Sequence, residues 1–314
     1  LPILRAWVGT EFIVERIQTY RDAMQYVHDQ TIYWINLGYK RDQLAEKVVL
    51  PEPYASDPWL MEYYGTVAHS VRNIYDGYLG WWDGDVTLLA RPGFIELSRQ
   101  YVNAMGGRDQ VVALAKRAVD RRNYGWAAEI LTHVTRVDPT DMEARGLKAE
   151  ALRQWAFMQT NIYWRAYGIS DAKELDGTLD RSQPWDFSDP AIVKVLPTVK
   201  ILETMSVRLN AKRAEGAQVK IGFLVTDTNE AAGYEVRHRI AAFSASKPDD
   251  ADATLKGSKA AILETVATGQ ISDSVQVEGD RDKAEAFLAL FDVIKPNGVN
   301  LVLPPEAPVK PGGN

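Results

Sequence analysis

The sequence predicts an all-α domain of stacked helical hairpins followed by a small α+β domain. Amphipathic stretches of helical period recur from residue 11 to residue 158, with glycine, asparagine or proline between them. One of them, AAEILTHVTRVDPTDMEARGLKAEAL, is similar to tetratricopeptide repeats. Beyond residue 190 the pattern changes to short strand-like runs alternating with helices.

Residues 11–36 predict one long helix. Phe12, Ile13, Ile17, Tyr20, Met24, Val27, Thr31 and Ile35 recur at spacings of three and four, and Gly38 stands where a left-handed cap belongs. A short helix, 41–48, stops at LPEPYASDP. Asp57 followed by Pro58 is a favourable cap and first-turn pair, so a second long helix is expected to run from there through WLMEYYGTVAHSVRNIYDGYL to the turn GWWDGD. Helices 94–105, 109–121, 124–137 and 142–158 follow, separated by Gly106-Gly107, Asn123 and Asp138-Pro139-Thr140. A lone helical repeat cannot bury its own apolar face, so these helices must pack on one another or on another subunit.

A composition change in DGTLDRSQPWDFSDP marks a linker at 177–188, after a helical domain at 11–176. In the second domain, 189–303, a helix at 191–209 precedes the strand-like runs VKIGFLVTD, YEVRHRIAAFSA and DATLKG. A helix at 259–267, a strand in SVQVEG and a helix at 281–291 complete it. The tail at 304–314, PPEAPVKPGGN, is expected to be disordered.

Composition excludes several function classes. Hydrophobic residues make up 46% and charged residues 25% of the 314, as in a globular protein. A net charge of −6 is the wrong sign for a broad nucleic-acid footprint. No apolar run approaches the roughly 20 residues that span a bilayer. Cysteine is absent, which removes disulfides, thiolate nucleophiles and zinc-thiolate sites. The residues leave the compartment open, periplasmic, secreted or cytoplasmic alike. The chain opens at LPILRAWVGTEF with neither Met nor a basic leader, which reads as a processed product, a fragment or half of a split enzyme.

The four histidines, His28, His69, His133 and His238, do not fall at metal-ligand spacings. HxHxDH, HExxH, GxSxG and the phosphate-binding lysine loop are all missing. A single-chain catalyst therefore starts from a weak position, and no residue here is assigned a catalytic or metal-binding role. The richest segment is 63–85. On an ideal helix Tyr64, Ala68, Val71, Arg72 and Tyr75 share a face of about 100°, presenting two phenols and a guanidinium suited to a sulfate or phosphate group. The bland reading is that the tyrosines are core and that Arg72 pairs with a carboxylate. His69 points away from that face, toward core or interface. Trp81-Trp82 could cap an apolar channel or plug the junction between helical layers. Arg237-His238-Arg239, in a strand-like run, is a weak anion signal.

Read together, YRDAMQYVHDQT, YGTVAHSVRNIYDGYLGWWDGD and the spaced run from YVNAMGG to QTNIYWRAYG resemble the C-terminal half of the zinc alkylsulfatases. The resemblance spans residues 10–310 and is densest over 20–167. It implies a metallo-β-lactamase-like domain carrying two zinc ions, preceding this chain or supplied as a separate one, with residues 1–10 as its end or linker. It also implies a helical dimerisation domain, and then a domain like sterol carrier protein 2. The activity implied is hydrolysis of amphiphilic alkyl sulfate esters. The resemblance places the zinc ligands in the preceding domain. LPILRAWVGTEF lacks the histidine the family has before its first helix, so that ligand lies upstream or has been lost in this homologue, and either way residues 1–10 have no metal role. Within YGTVAHSVR, Tyr64 matches a sulfate-contacting tyrosine, and either Arg72 or His69 the basic residue beside it. Trp81 and Trp82 become walls of an alkyl-chain pocket, and the C-terminal domain is expected to bind or guide amphiphiles. The alternative to this reading is a lipid- or surfactant-binding or scaffolding module without enzymatic activity.

Overall fold

The computed structural model describes residues 6–180, 190–293 and 302–303. The chain divides into two units, one comprising Leu1–Asp180 with Val299–Asn314 and the other Arg181–Gly298. The disorder expected of the tail at 304–314 and most of the linker at 177–188 lie outside the described residues.

The helical unit contains α1 (Thr10–Asn36), α2 (Arg41–Lys47), α3 (Val67–Leu79), α4 (Phe94–Ala104), α5 (Arg108–Asp120), α6 (Tyr124–Val137), α7 (Met142–Phe157) and α8 (Ile162–Leu175). Gly38 ends α1 in the left-handed region, φ +88°, and its N–H returns to the Ile35 carbonyl at 2.8 Å. Only Ala23, Val27 and Thr31 of α1 are buried. The apolar stripe therefore outruns its cover: α2 and α3 close over its C-terminal half, whereas Phe12, Ile17, Tyr20 and Met24 stay exposed.

α3 begins at Val67 with its cap at Thr66, nine residues later than a cap at Asp57 would place it. Asp57 is instead tied to α1 by an ion pair with Arg16 at 2.7 Å, and its other oxygen accepts the local Trp59 N–H at 2.8 Å. The cap of α3 is Thr66, whose hydroxyl accepts the His69 N–H, while Glu62 accepts the Val67 N–H at 2.6 Å. Residues 62–64 cannot join the helix because their carbonyls are taken from outside: Asn161 and the Ile162 N–H both donate to them.

α4 to α7 share one core, built on Val111, Ala115, Ala127, Ile130, Leu131, Val134 and Ala144. The small residues permit close helix approach. Asp141 caps α7 by accepting the Ala144 N–H at 3.0 Å, and the Arg108 guanidinium grips the same carboxylate with bonds of 2.7 and 2.8 Å. α8 escaped the periodicity reading because apolar residues occur on all its faces, Tyr163 and Tyr167 among the exposed ones. Its signal was local: Asn161 Oδ1 accepts the N–H groups of Tyr163 and Trp164, both at 3.0 Å.

In the second unit the expected helix at 191–209 is broken. α9 (Pro190–Val195) stops before Pro197, α10 (Thr198–Glu203) restarts after it, and a 3-10 turn covers Thr204–Arg208. The strands β1 (Val219–Val225), β2 (Glu230–Arg237), β3 (Ile240–Ser244), β4 (Ala253–Gly257) and β5 (Gln276–Gly279) form a sheet in the order β3-β2-β1-β4-β5. β1 and β4 run parallel and the other neighbours antiparallel. YEVRHRIAAFSA is a hairpin rather than one strand: His238 and Arg239 both take positive φ, 50° and 63°, and Arg237 pairs with Ile240. Helices α11 (Lys259–Thr268) and α12 (Arg281–Leu288) join α10 against the sheet.

The interior of this unit is filled by rings. Neighbouring rings among Phe223, Tyr234, Phe287 and Phe291 lie 4.8 to 6.5 Å apart between centroids, and the Tyr234 hydroxyl donates to the Leu202 carbonyl at 2.6 Å. Burial pushes that phenol up to about 12. On the opposite sheet face Gly222 pairs with Gly233, and Lys247 and Pro248 lie directly on this glycine strip.

Candidate functional site

A cleft of about 610 Å³ opens in the helical unit between α1, the segment 59–66 and the start of α3. Tyr20 and Met24 of α1 form one wall, and Met61, Tyr63, Tyr64 and Thr66 the other. The cleft thus joins an apolar wall to a rim of phenols and a hydroxyl. Tyr20 and Met24 also bound a smaller apolar hollow with Trp7 and Ile17, which extends this surface along α1.

Tyr64 is 64% exposed at the rim, its ring edge-on to Tyr163 at 5.8 Å. Its backbone is fixed, because Asn161 Nδ2 donates to the Tyr64 carbonyl at 2.9 Å. The other candidates do not join it. Because Tyr64 precedes the helix, the shared face with Arg72 and Tyr75 does not form. Tyr75 is 3% exposed and packs among Val27, Leu44, Val48 and Val71, where burial raises its phenol pKa. Arg72 donates from Nε to Asp42 at 2.7 Å, the carboxylate pairing that the bland reading gave it, and this bond lowers the Asp42 pKa. His69 shares a hydrogen bond with the Thr66 hydroxyl at 3.0 Å, and its ring meets Trp164 edge-on at 5.2 Å.

Trp81 and Trp82 stand outside the cleft, exposed in the turn that follows Gly80. The Trp82 indole N–H donates to the Asp85 carbonyl at 3.2 Å, so that side chain braces the turn. His28 bridges Asp29 and the Tyr78 hydroxyl, and the His133 ring lies tilted against Tyr101 at 4.7 Å with its pKa lowered by burial. Arg237 and Arg239 pair with Glu235 and Glu215.

Sequence reasoning missed Met61, Tyr63 and Thr66 as rim residues, and it read Tyr20 and Met24 only as part of the apolar period of the first helix. The available signal was length: the apolar stripe on α1, from Phe12 to Ile35, far outruns the seven residues of α2.

Among the described residues no three His, Cys, Asp or Glu side chains gather as metal ligands. The donors here do not fit the two zinc ions implied by the resemblance. Among the same residues no helix is long and apolar enough to cross a membrane.

Comparison with known proteins accounts for both units. Residues 40–178 match the family model for alkyl sulfatase dimerisation, and residues 186–304 the model for the alkyl sulfatase C-terminal domain. A linear primary-alkylsulfatase from Pseudomonas sp. (strain ATCC 19151) is 35% identical over 90% of this chain and 57% of its own length. The alkyl/aryl-sulfatase BDS1 of Saccharomyces cerevisiae is 29% identical over 90% of this chain and 45% of its own. The solved structure of the stereoselective inverting sec-alkylsulfatase Pisa1 from Pseudomonas sp. superposes with a TM-score of 0.84 at 25% identity, covering 95% of this chain and 48% of that one. The chain spans about half the length of the relatives it matches. It belongs to the alkyl sulfatase family, of which it carries the dimerisation domain and the C-terminal domain in tandem.

Proposed function

We propose that this chain is the non-catalytic half of a zinc-dependent alkylsulfatase, joining two subunits and covering the substrate while a metallo-β-lactamase-like domain performs the hydrolysis. One observation carries the reading: both family models fit in tandem, while the relatives are about twice as long. The metal chemistry belongs to the other half. When bound there, zinc would activate water or polarise the sulfate ester.

What this half supplies follows from its own residues. Ile17, Tyr20 and Met24 on α1 are exposed apolar side chains in one helical stripe, and Phe94 and Trp126 are exposed as well; such side chains suit burial against protein. The cleft rim places the Tyr64 phenol, a donor for an anionic oxygen, beside an apolar wall suited to an alkyl chain. Each methylene buried there is worth about 0.8 kcal/mol. Arg72 serves α3 through Asp42, so Tyr64 is the anion-facing residue of the segment.

No comparable observation favours an amphiphile-binding module without enzymatic activity, because aromatic rings occupy the centre of the C-terminal unit. Light scattering on the purified chain tests the assembly role. A mass twice the 35.1 kDa of one chain at micromolar concentration is expected, and a monomer there would contradict it.

A further inference from the structure

The chain leaves the helical unit after Asp180 and belongs to it again from Val299. Two residues after that return are held closely. The backbone N–H groups of Val302 and Leu303 both donate to one oxygen, Glu174 Oε1, at 3.0 and 2.9 Å. Glu174 stands in the last turn of α8 and is 1% exposed. Leu303 is 4% exposed and fills a hollow floored by Ala149, Ala172 and Leu175.

The surroundings are built for this contact. Arg145, wholly buried on α7, donates to the carbonyls of Leu175 at 2.7 Å, Pro139 at 3.2 Å and Glu174 at 3.3 Å. It thereby satisfies the Leu175 carbonyl at the end of α8 and shares the Glu174 carbonyl with the Gly177 N–H. A carboxylate this deeply buried needs convergent donors, and successive N–H groups of one backbone segment are such a set. Alanines at 149 and 172 leave the volume that a leucine side chain occupies. A buried carboxylate, a buried guanidinium and a leucine-sized hollow at one helix end are costly unless each finds its partner.

We propose that Glu174, Arg145 and the alanine-floored hollow form a dock for the chain's own Val302–Leu303 segment. The dock acts as a latch: the helical unit is complete only once the chain has passed through the C-terminal unit and returned. The C-terminal unit is then an insertion between α8 and its closing segment, not an appendage. This inference stands apart from the sulfatase reading and needs neither activity nor zinc.

Hydrogen exchange read by mass spectrometry on the full chain tests it, with peptides containing residues 302 and 303 compared with peptides from α6. In the unmodified chain the tail amides should exchange at least about tenfold more slowly than in Leu303→Asp, with α6 unchanged. Glu174→Ala should lower tail protection to the same degree, and Glu174→Gln, which keeps an acceptor oxygen, should retain most of it. Tail amides that exchange at the rate of an unstructured peptide in the unmodified chain would overturn the proposal. So would protection that survives both Leu303→Asp and Glu174→Ala. Leu303→Asp leaves the helices themselves untouched, so its result stands even if Glu174→Ala impairs folding.

Discussion

Asn161 donates to the Tyr64 carbonyl at 2.9 Å while its own side-chain oxygen caps α8. One amide thus ties the rim of the cleft to a helix nearly a hundred positions away in sequence. Asn161→Asp separates these roles, since a carboxylate still caps but no longer donates. We expect Asn161→Ala to cost about 1–3 kcal/mol, combining a lost cap with the loss of a donor to two part-buried carbonyls. Asn161→Asp should keep the helicity of α8 yet loosen residues 62–66. Denaturant titration and hydrogen exchange on those residues read the two effects separately, and equal behaviour of the two variants would refute the division of labour.

Arg108 and Asp141 set an acid limit on the helical unit. The Arg108 hydrogen bond holds the Asp141 carboxyl below its ordinary pKa, helped by the Ala144 N–H. With the folded pKa below the unfolded one, the stabilisation is complete at neutral pH. It is lost as pH falls from about 4 through the lower folded value. Because Arg108 is partly exposed, the pair with its cap is worth only about 1–2 kcal/mol. Asp141→Asn, which still caps the helix, should lose the ion-pair share of this at pH 7, and the deficit should shrink as pH falls below about 4 in urea unfolding. A deficit independent of pH would argue against the ion pair.

Lys148 gives a dependence of opposite sense. It is 4% exposed on α7, and burial pushes its ammonium down to about 8, against the attraction of Asp171. Between that value and the unfolded value near 10.4 the unfolded chain binds more protons, so stability rises with pH across this window. Lys148→Met should therefore stabilise at pH 7 by about 1–2 kcal/mol, after allowing for the charge lost beside Asp171, and the gain should vanish above about pH 10. Parallel unfolding curves at pH 7 and pH 10 decide it; a constant difference would contradict the desolvation account.

Gly233 has no room for a side chain. A Cβ there would lie 2.4 Å from Pro248 Cδ and 2.8 Å from the Ser246 carbonyl. Gly233→Ala should destabilise the C-terminal unit by about 1–3 kcal/mol through displacement of this crossing segment. Thermal unfolding would show it, and an unchanged midpoint would mean that the crossing is not held against the sheet.

Helix positions in 94–158 were legible because each has an uninterrupted apolar period and a distinct stop, such as Gly106-Gly107 or Asp138-Pro139. The error at Asp57 has a physical source. Its capping potential is real, but the carboxylate is spent on Arg16 and Trp59, and the carbonyls needed by a helix through 62–64 accept from Asn161 and Ile162 instead. Those are tertiary bonds with no local signature. The same displacement undid the predicted face of Tyr64, Arg72 and Tyr75, since a residue three places before a helix does not share its periodicity. The break at Pro197 and the turn at His238-Arg239 were readable in principle, the first from proline chemistry. The second was hidden because neither turn residue is glycine or asparagine.

The most direct measurement is sulfate release from dodecyl sulfate with added Zn²⁺. The chain alone should show none above background, and the chain combined with the upstream half of the linear primary-alkylsulfatase should show turnover that falls about tenfold or more in Tyr64→Phe. Robust turnover by the chain alone would contradict its assignment as the non-catalytic half.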